Sequence, residues 1–266
     1  MRVFKFGGAS VKDAAGVKNV VDVLQQVGCQ DIFLVVSAMG KMTNAFEKVT
    51  DAYFYNNNEL PMLIDGVKEY HYRIAQDLFE DKKHTIFSEM ELLFDSLNIF
   101  ITQNQSKNYS FVYDQLVSFA ELFSTKIVSF YLNETGLENT WLDVRDFIIT
   151  NSDYRDAKVD WQLTEQKVFT NINIKNLNIT QGFLAKSVDG YTTTLGREGS
   201  DYTAAIFAYC LNAESVTIWK DVKGVLNADP RYFKETQLLE QISYTEAIEL
   251  AFYGASVIHP KTLQPL

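Results

Sequence analysis

The sequence has few of the residues that metal centres and disulfide frameworks require. Among its 266 residues are two cysteines and three histidines. The histidines are scattered and neither cysteine has a neighbour at a metal-ligand spacing, so we expect no metal site built from imidazole or thiolate. Cys29 and Cys210 are predicted to be buried, reduced thiols, as is typical of intracellular proteins.

Positive charge and long apolar runs are also scarce. The chain has 24 lysines and arginines against 34 acidic residues, a formal net charge of −10. Such a surface repels a phosphate backbone, so no nucleic-acid partner is expected. No apolar run is long enough to cross a bilayer, and the first residues enter a strand rather than a signal peptide. We therefore expect a cytoplasmic protein without membrane contact, whose 47% hydrophobic content supports a sizeable core.

The stretch YTTTLGREGSDYTAAIFAYCL, residues 191–211, predicts a strand, a glycine turn and a helix in succession. Ser200 or Asp201 is predicted to cap the helix. Free N–H groups at such a turn suit an anion. Arg197 beside Asp201 could clamp a substrate carboxylate and help to order a phosphate or a metal. A capped turn with a solvated arginine explains the same residues equally well.

Two earlier segments also place small residues at the end of a strand. The predicted strand Arg2–Phe6 contains Lys5 and runs into Gly7 and Gly8, while Ile32–Val36 runs into another glycine-containing turn. Successive strand–helix units predict a parallel sheet with helices on its faces. Ligands bind such sheets at the carboxyl ends of the strands. Lys5 is therefore a candidate phosphate contact, although the sequence has no G-x-x-x-x-G-K-[S/T] motif.

The middle of the chain is predicted to be mostly helical. The expected helices cover residues 60–78, 85–100 and 110–132. Glu121 in the last of them lies on a face of small residues, where a carboxylate could bind an ammonium group. Residue types alone favour the alternative of a solvated helix face. Beyond it we expect strands over 141–149, 179–184 and 215–219 and a helix over 244–252.

Six motifs follow one another in an order found in a known protein family. They are KFGGAS (5–10), VSAMGKMTN (36–44), FAELFST (119–125), TLGREGSDYTAA (194–205), WKDVKGVLNADPR (219–231) and GASVIHPKT (254–262). Together they resemble aspartokinase, the aspartate-specific branch of the amino acid kinase family. The resemblance extends over residues 1–266.

The resemblance implies an α/β fold, a three-layer αβα sandwich around a mainly parallel, eight-stranded sheet. Residues 1–187 would form an N-terminal lobe that binds aspartate. Residues 188–266 would form a C-terminal, ATP-binding lobe that is truncated relative to the family, whose members continue into ACT domains. A homodimer is the candidate assembly.

The implied reaction moves the γ-phosphoryl group of ATP, with Mg²⁺ as cofactor, to the side-chain carboxylate of L-aspartate. Its product is 4-phospho-L-aspartate, the entry to lysine, threonine and methionine synthesis. Two alternatives remain open at this point. One is a sibling kinase acting on glutamate, acetylglutamate, carbamate or UMP, and the other is a non-catalytic ligand-binding fragment.

The resemblance also implies roles for individual residues. Lys5 would neutralise the transferred phosphoryl group and Asp201 would hold Lys5. The implied aspartate contacts are Ser37, Thr43, Glu121 on the ammonium group, Arg197 on the α-carboxylate, and Ser200. The implied nucleotide contacts are Lys5, Gly7, Gly8, Ser10, Lys220, Asp221, Leu226, Arg231 and Ser256. No metal ligand from the protein is implied.

Four positions depart from the family pattern. Ala9 replaces a threonine, Glu198 a glycine, Leu226 a tyrosine, and Ser256 a lysine that reaches towards ATP. These departures bear on nucleotide affinity more than on aspartate recognition. Lys261 is a candidate to replace the lysine missing at position 256.

Overall fold

Eight strands are present in the computed structural model, which describes residues 1–220, 222, 224–253 and 258–266. They are β1 (Arg2–Phe6), β2 (Ile32–Val36), β3 (Asn139–Leu142), β4 (Ile149–Thr150), β5 (Leu177–Gln181), β6 (Leu184–Ser187), β7 (Thr192–Thr194) and β8 (Ser215–Trp219). The predicted nucleotide contacts Asp221 and Ser256 lie outside the described residues.

The strands form two sheets rather than the single eight-stranded sheet that we expected. Five of them make a wholly parallel sheet in the order β3-β5-β2-β1-β8, and β4, β6 and β7 make a small mixed sheet. The expected strand over 141–149 is also wrong. A 3-10 helix at Val144–Asp146 interrupts it, so that β3 stays in the large sheet and β4 joins the β6–β7 hairpin.

Helices make up most of the remainder. They are α1 (Ala14–Val27), α2 (Met42–Phe54), α3 (Leu60–Leu78), α4 (Thr85–Gln103), α5 (Tyr109–Val117), α6 (Phe119–Glu134), α7 (Trp161–Asn171), α8 (Gly199–Cys210), α9 (Tyr244–Phe252) and α10 (Pro260–Leu263). The predicted bounds of α3 and α9 agree with the structure. Among the described residues, no helix has both the length and the apolar character that crossing a bilayer needs.

The large sheet lies between α8 on one face and α6 on the other. Phe33 of β2 packs on Phe207 of α8, with ring centroids 4.4 Å apart. Gln181 of β5 pairs with Val36, three residues further along β2, and its amide donates to Thr125 of α6 at 2.9 Å. Because successive side chains of a strand point to opposite faces, these contacts lie on opposite sides of the sheet. The three-layer αβα arrangement is therefore confirmed.

The centre of the core is β2, all five residues of which are buried. Burial of each large apolar side chain there contributes about 2 kcal/mol. Such an apolar strand needs helices on both of its faces, as is usual for parallel sheets. The two cysteines are free but half-buried, whereas we expected buried thiols.

The predicted helix over 110–132 is two helices, α5 and α6, separated at Ser118. The hydroxyl of Ser118 donates to the carbonyl oxygen of Gln115 at 2.7 Å, a local bond of the kind that competes with helical hydrogen bonding. The break places Glu121 in the first turn of α6, and its side chain is only 2% exposed. Residue types favoured a solvated helix face for Glu121, and that interpretation is therefore wrong.

Candidate active site

A cavity of about 540 Å³ lies at the carboxyl ends of β1 and β2 and the amino end of α8. Eight of the residues that the sequence predicted for the site line it: Lys5, Gly8, Ser37, Thr43, Glu121, Arg197, Ser200 and Asp201. They come from distant parts of the chain, and the parallel sheet brings them to one edge. The arrangement can hold a small, charged ligand with both acidic and basic groups.

The floor of the cavity depends on a close approach of two backbone turns. A Cβ atom on Gly8 would lie 2.7 Å from the carbonyl oxygen of Ala38 and 2.8 Å from that of Gly40. The Gly40 N–H donates to the Gly8 carbonyl at 2.9 Å. Gly40 itself has a φ of +55°, which glycine adopts without strain. Only glycine at position 8 lets the turns after β1 and β2 meet.

Lys5 and Asp201 form a buried ion pair on the wall of the cavity. Lys5 Nζ lies 2.7 Å from Asp201 Oδ1, and Lys220 Nζ lies 2.9 Å from Asp201 Oδ2. Burial opposes ionisation of Asp201, but the charges of the two lysines hold the pKa of its carboxyl below the usual value. Asp201 is therefore ionised at neutral pH and fixes the position of the Lys5 ammonium group.

Neither Ser200 nor Asp201 caps α8, contrary to our prediction. The N-cap is Glu198, which has a φ of +54° and makes no side-chain bond to the helix. Asp201 lies in the first turn, where its carboxylate turns to the lysines instead. The N-terminal N–H groups of α8 are therefore not satisfied by a capping side chain and face the region that Arg197 and Ser200 line.

Glu121 is a buried carboxyl group with free bonding capacity. Its Oε2 has no hydrogen-bond partner among the described residues. Burial raises the pKa of Glu121 to about 8, and the backbone N–H groups of Glu121 and Ala38 and the Thr43 hydroxyl only partly oppose the rise. A cation that reached Oε2 would favour the ionised form.

Arg197 lies on the turn between β7 and α8. Gly196 before it has a φ of +76°, and a Cβ there would lie 2.7 Å from Asp156 Oδ1. Arg197 is exposed and forms no ion pair with the described residues. Its guanidinium is thus available for an anion in the cavity that Lys5 also lines.

Five of the predicted nucleotide contacts do not line this cavity: Gly7, Ser10, Lys220, Leu226 and Arg231. Lys220 contacts Asp201, which lines the cavity. Arg231 is exposed and pairs with Asp229, Nη2 to Oδ2, at 2.6 Å. Lys261 also does not line it, since its Nζ lies 2.6 Å from Asp156 Oδ1 on an adjoining cavity.

The sequence did not indicate that Tyr113, Arg155 and Gly182 belong to the site. Tyr113 and Arg155 line the cavity directly. Gly182 acts behind it, because a Cβ there would lie 2.7 Å from Ser200 Cα. Its one local signal was its place inside the predicted strand 179–184, since a glycine inside a strand often marks a close backbone approach. In the structure that segment is divided, and Gly182 lies between β5 and β6.

The model of the amino acid kinase family matches residues 1–266. The chain belongs to the amino acid kinase family. The sequence is 33% identical over 276 residues to bifunctional aspartokinase/homoserine dehydrogenase 2 of Arabidopsis thaliana, covering 99% of the chain and 30% of that protein. It is 33% identical over 268 residues to lysine-sensitive aspartokinase 3 of Escherichia coli, covering 99% of the chain and 58% of that protein.

Solved structures of amino acid kinases agree with the fold. The crystal structure of E. coli aspartokinase III with aspartate and ADP superposes with a TM-score of 0.91 at 32% identity, covering 100% of this chain and 59% of that one. UMP kinase from Ureaplasma parvum, at 14% identity and a TM-score of 0.52, shares the fold alone. The chain thus spans about a third to six-tenths of the length of these aspartokinase relatives.

Proposed function

We propose that the chain transfers the γ-phosphoryl group of ATP to the side-chain carboxylate of L-aspartate, giving 4-phospho-L-aspartate. The observation that carries this proposal is that one cavity contains Glu121, Arg197 and Lys5. A buried carboxylate, a guanidinium without an ion pair to the described residues and a fixed ammonium group complement the three charged groups of aspartate. The likeness to E. coli aspartokinase III, whose structure holds aspartate and ADP, supports the same assignment.

We propose that aspartate lies between α6 and the turn before α8. Its ammonium group would bind Oε2 of Glu121, beside the hydroxyl groups of Ser37 and Thr43. Its α-carboxylate would bind the guanidinium of Arg197 and the Ser200 region at the amino end of α8, where the helix dipole favours an anion. The side-chain carboxylate would then face Lys5.

Lys5 and Asp201 would carry the transfer step. The substrate carboxylate is already a nucleophile, so the protein has to position it and neutralise charge rather than remove a proton. Two anions repel one another as they approach, and a buried cation between them offsets that repulsion. Asp201 acts by holding Lys5, because the pair is shielded from water and Lys220 supports it from the other side.

The nucleotide would enter from the side of the C-terminal lobe, residues 188–266, with residues 1–187 holding the amino acid. Its phosphates would lie on the turn after β1. The proposed contacts there and around the base are Gly7, Gly8, Ser10, Lys220, Asp221, Leu226, Arg231 and Ser256. Since Arg231 already pairs with Asp229, it would have to exchange that partner for a phosphate.

Mg²⁺ is proposed to arrive as Mg-ATP. Within the described ranges, no group of three or more His, Cys, Asp or Glu side chains could hold a metal ion. Both oxygens of Asp201 are engaged by lysines. Mg²⁺ is commonly bound by substrate phosphates with only one or two carboxylates, so the nucleotide itself would be its main ligand.

The assignment is tested by incubating the protein with Mg-ATP and L-aspartate and trapping the acyl phosphate with hydroxylamine. We expect a hydroxamate with aspartate, and none with acetylglutamate, carbamate or UMP, none of which has the free ammonium group that Glu121 would bind. Glutamate, one methylene longer, is the stringent comparison. Aspartate binding without hydroxamate would favour the non-catalytic alternative.

A homodimer and a cytoplasmic location stay predictions.

A further inference from the structure

Arg155 has an unusual backbone conformation for its residue type. Its φ is +73°, in the left-handed region that favours glycine. Its N–H donates to both carboxylate oxygens of the buried Asp114, at 3.0 and 3.2 Å. Asp114 also accepts the N–H and the hydroxyl of Thr194, at 2.9 and 2.8 Å. One carboxylate of α5 therefore fixes the Arg155 backbone to the end of β7, three residues before Arg197.

The Arg155 side chain packs against an aromatic ring. Its guanidinium carbon lies 4.4 Å from the ring centroid of Tyr113, and the Tyr113 hydroxyl donates to Glu47 at 2.7 Å. Stacking of this kind orients a guanidinium while leaving its N–H groups free. Among the described residues no carboxylate forms an ion pair with Arg155.

Arg155 and Arg197 lie on the same side of the cavity. The Arg155 carbonyl oxygen is 3.3 Å from the position that a Cβ on Gly196 would occupy, next to Arg197. Both arginines line the cavity that Lys5 and Glu121 also line. Lys5 and Lys220 both pair with Asp201, at the end of the cavity where the phosphoryl group is proposed to lie. Arg155 is therefore not needed as a further cation for the phosphoryl group.

We infer that Arg155 is a second binding residue for the α-carboxylate of the amino acid substrate, acting beside Arg197. The inference rests on the proposed function. A carboxylate can accept from two guanidinium groups at once, since its two oxygens offer about four acceptor positions. The left-handed backbone of Arg155 is consistent with a binding role, because such strain persists where the surrounding structure holds it in place.

The test uses Arg155→Gly, which removes the side chain and also relieves the backbone. We expect the KM for aspartate to rise roughly tenfold, the loss of one charge-assisted hydrogen bond, with kcat and the KM for ATP within about twofold of wild type. The melting temperature should not fall, since glycine adopts this conformation freely.

Asn56→Gly is the matched control. Asn56 is exposed with a φ of +52° and does not line the cavity, so the KM should not change.

A second substrate separates a direct contact from an indirect one. The α-carboxamide of aspartate keeps the reacting carboxylate and the ammonium group but lacks the charge that Arg155 would bind. We expect Arg155→Gly and wild type to bind this amide with equal affinity in calorimetry. An equal loss of affinity for aspartate and the amide, a rise in the KM for ATP instead, or no change in aspartate affinity would each overturn the inference.

Turnover of aspartate by the wild-type protein is measured in the same experiment and tests the proposed function separately. If wild type binds aspartate without turnover, the proposed reaction fails while the calorimetric comparison still decides the role of Arg155. If wild type does not bind aspartate, both proposals are overturned.

Discussion

Lys5 Nζ and Asp201 Oδ1 lie 2.7 Å apart, with Lys5 6% exposed and Asp201 fully buried. The pair connects the end of β1 to the first turn of α8, segments that lie almost 200 residues apart in the sequence. It fixes a cation at the edge of the sheet where ligands of parallel α/β folds bind. The proposed chemistry depends on this fixed charge.

Replacement of Lys5 tests the role of that charge. We expect Lys5→Ala to lower kcat by roughly 100-fold or more, because the variant lacks the cation proposed to neutralise the transferred group. Aspartate affinity should change far less, since Glu121 and Arg197 remain. Steady-state kinetics and calorimetry measure the two quantities, with Lys18→Ala on the exposed face of α1 as the control. Unchanged turnover in Lys5→Ala would contradict the role.

Replacement of Arg197 should separate the two substrates. Arg197→Ala is expected to weaken aspartate binding by roughly 100-fold, as the loss of a charged, two-point contact would. ATP binding should persist, because no nucleotide contact is assigned to Arg197. Arg73→Ala, an exposed arginine on α3, is the control. Loss of ATP binding with intact aspartate binding would count against the assignment.

Binding of aspartate should release a proton from Glu121. Burial raises the pKa of this carboxyl to about 8, and an ammonium group bound to it would lower that pKa in the complex. Affinity should therefore rise with pH, by up to about tenfold per unit, and level off near pH 8. Calorimetry at pH 7 in buffers of different ionisation enthalpy should detect nearly one released proton. Detection of no proton release would rule out Glu121 as the ammonium site.

The same carboxyl should lower the stability of the unliganded protein at alkaline pH. Its pKa is about 8 in the folded state against an ordinary 4.5, so the folded protein binds the extra proton between those values. Stability therefore falls as pH rises through that window. Glu121→Gln should show a shallower fall and a higher melting temperature at pH 8, while losing aspartate affinity. A melting temperature equal to wild type across that range would contradict the burial argument.

Gly182 should be intolerant of a side chain although it binds no substrate. An added Cβ would lie 2.7 Å from Ser200 Cα, so α8 would have to move together with Asp201. We expect Gly182→Ala to cost about 1–3 kcal/mol of unfolding free energy and to reduce turnover. Gly66→Ala is the matched control, since a Cβ there meets nothing within 4 Å and helix propensity should make it stabilising by about 0.5–1 kcal/mol. Equal behaviour of the two variants in chemical denaturation would refute the close-approach argument.

The sequence predicted the parts of the site that have a local signature. Lys5 lies near the end of an apolar strand, Gly8 follows that strand, and Arg197 lies in a glycine turn before a helix, so their positions at a sheet edge follow from strand and turn patterns. Glu121 shows the limit of that reasoning. Residue types favoured a solvated face for it, because the break at Ser118 and the helices that bury it are tertiary features. Residue types offered ammonium binding only as the less favoured alternative, and it was the family resemblance that favoured it.

Other features had no local signature at all. In the sequence nothing distinguishes Arg155 from other arginines in loops. Its φ and its contact with the Tyr113 ring are seen only in the structure. The division of eight strands into two sheets depends on a 3-10 turn at Val144–Asp146, and sequence periodicity did not distinguish that turn from a strand. Both features depend on contacts between segments that are far apart in the sequence. Such contacts leave no local pattern of residues from which they could be predicted.

The most direct test is a crystal structure of the chain with L-aspartate and a non-hydrolysable ATP analogue. We predict the substrate ammonium group within about 3.2 Å of Glu121 Oε2 and the α-carboxylate at the same distance from the Arg197 guanidinium. The side-chain carboxylate should face the terminal phosphate across Lys5. Aspartate bound outside this cavity, or with its side-chain carboxylate on Arg197 and away from Lys5, would contradict the account.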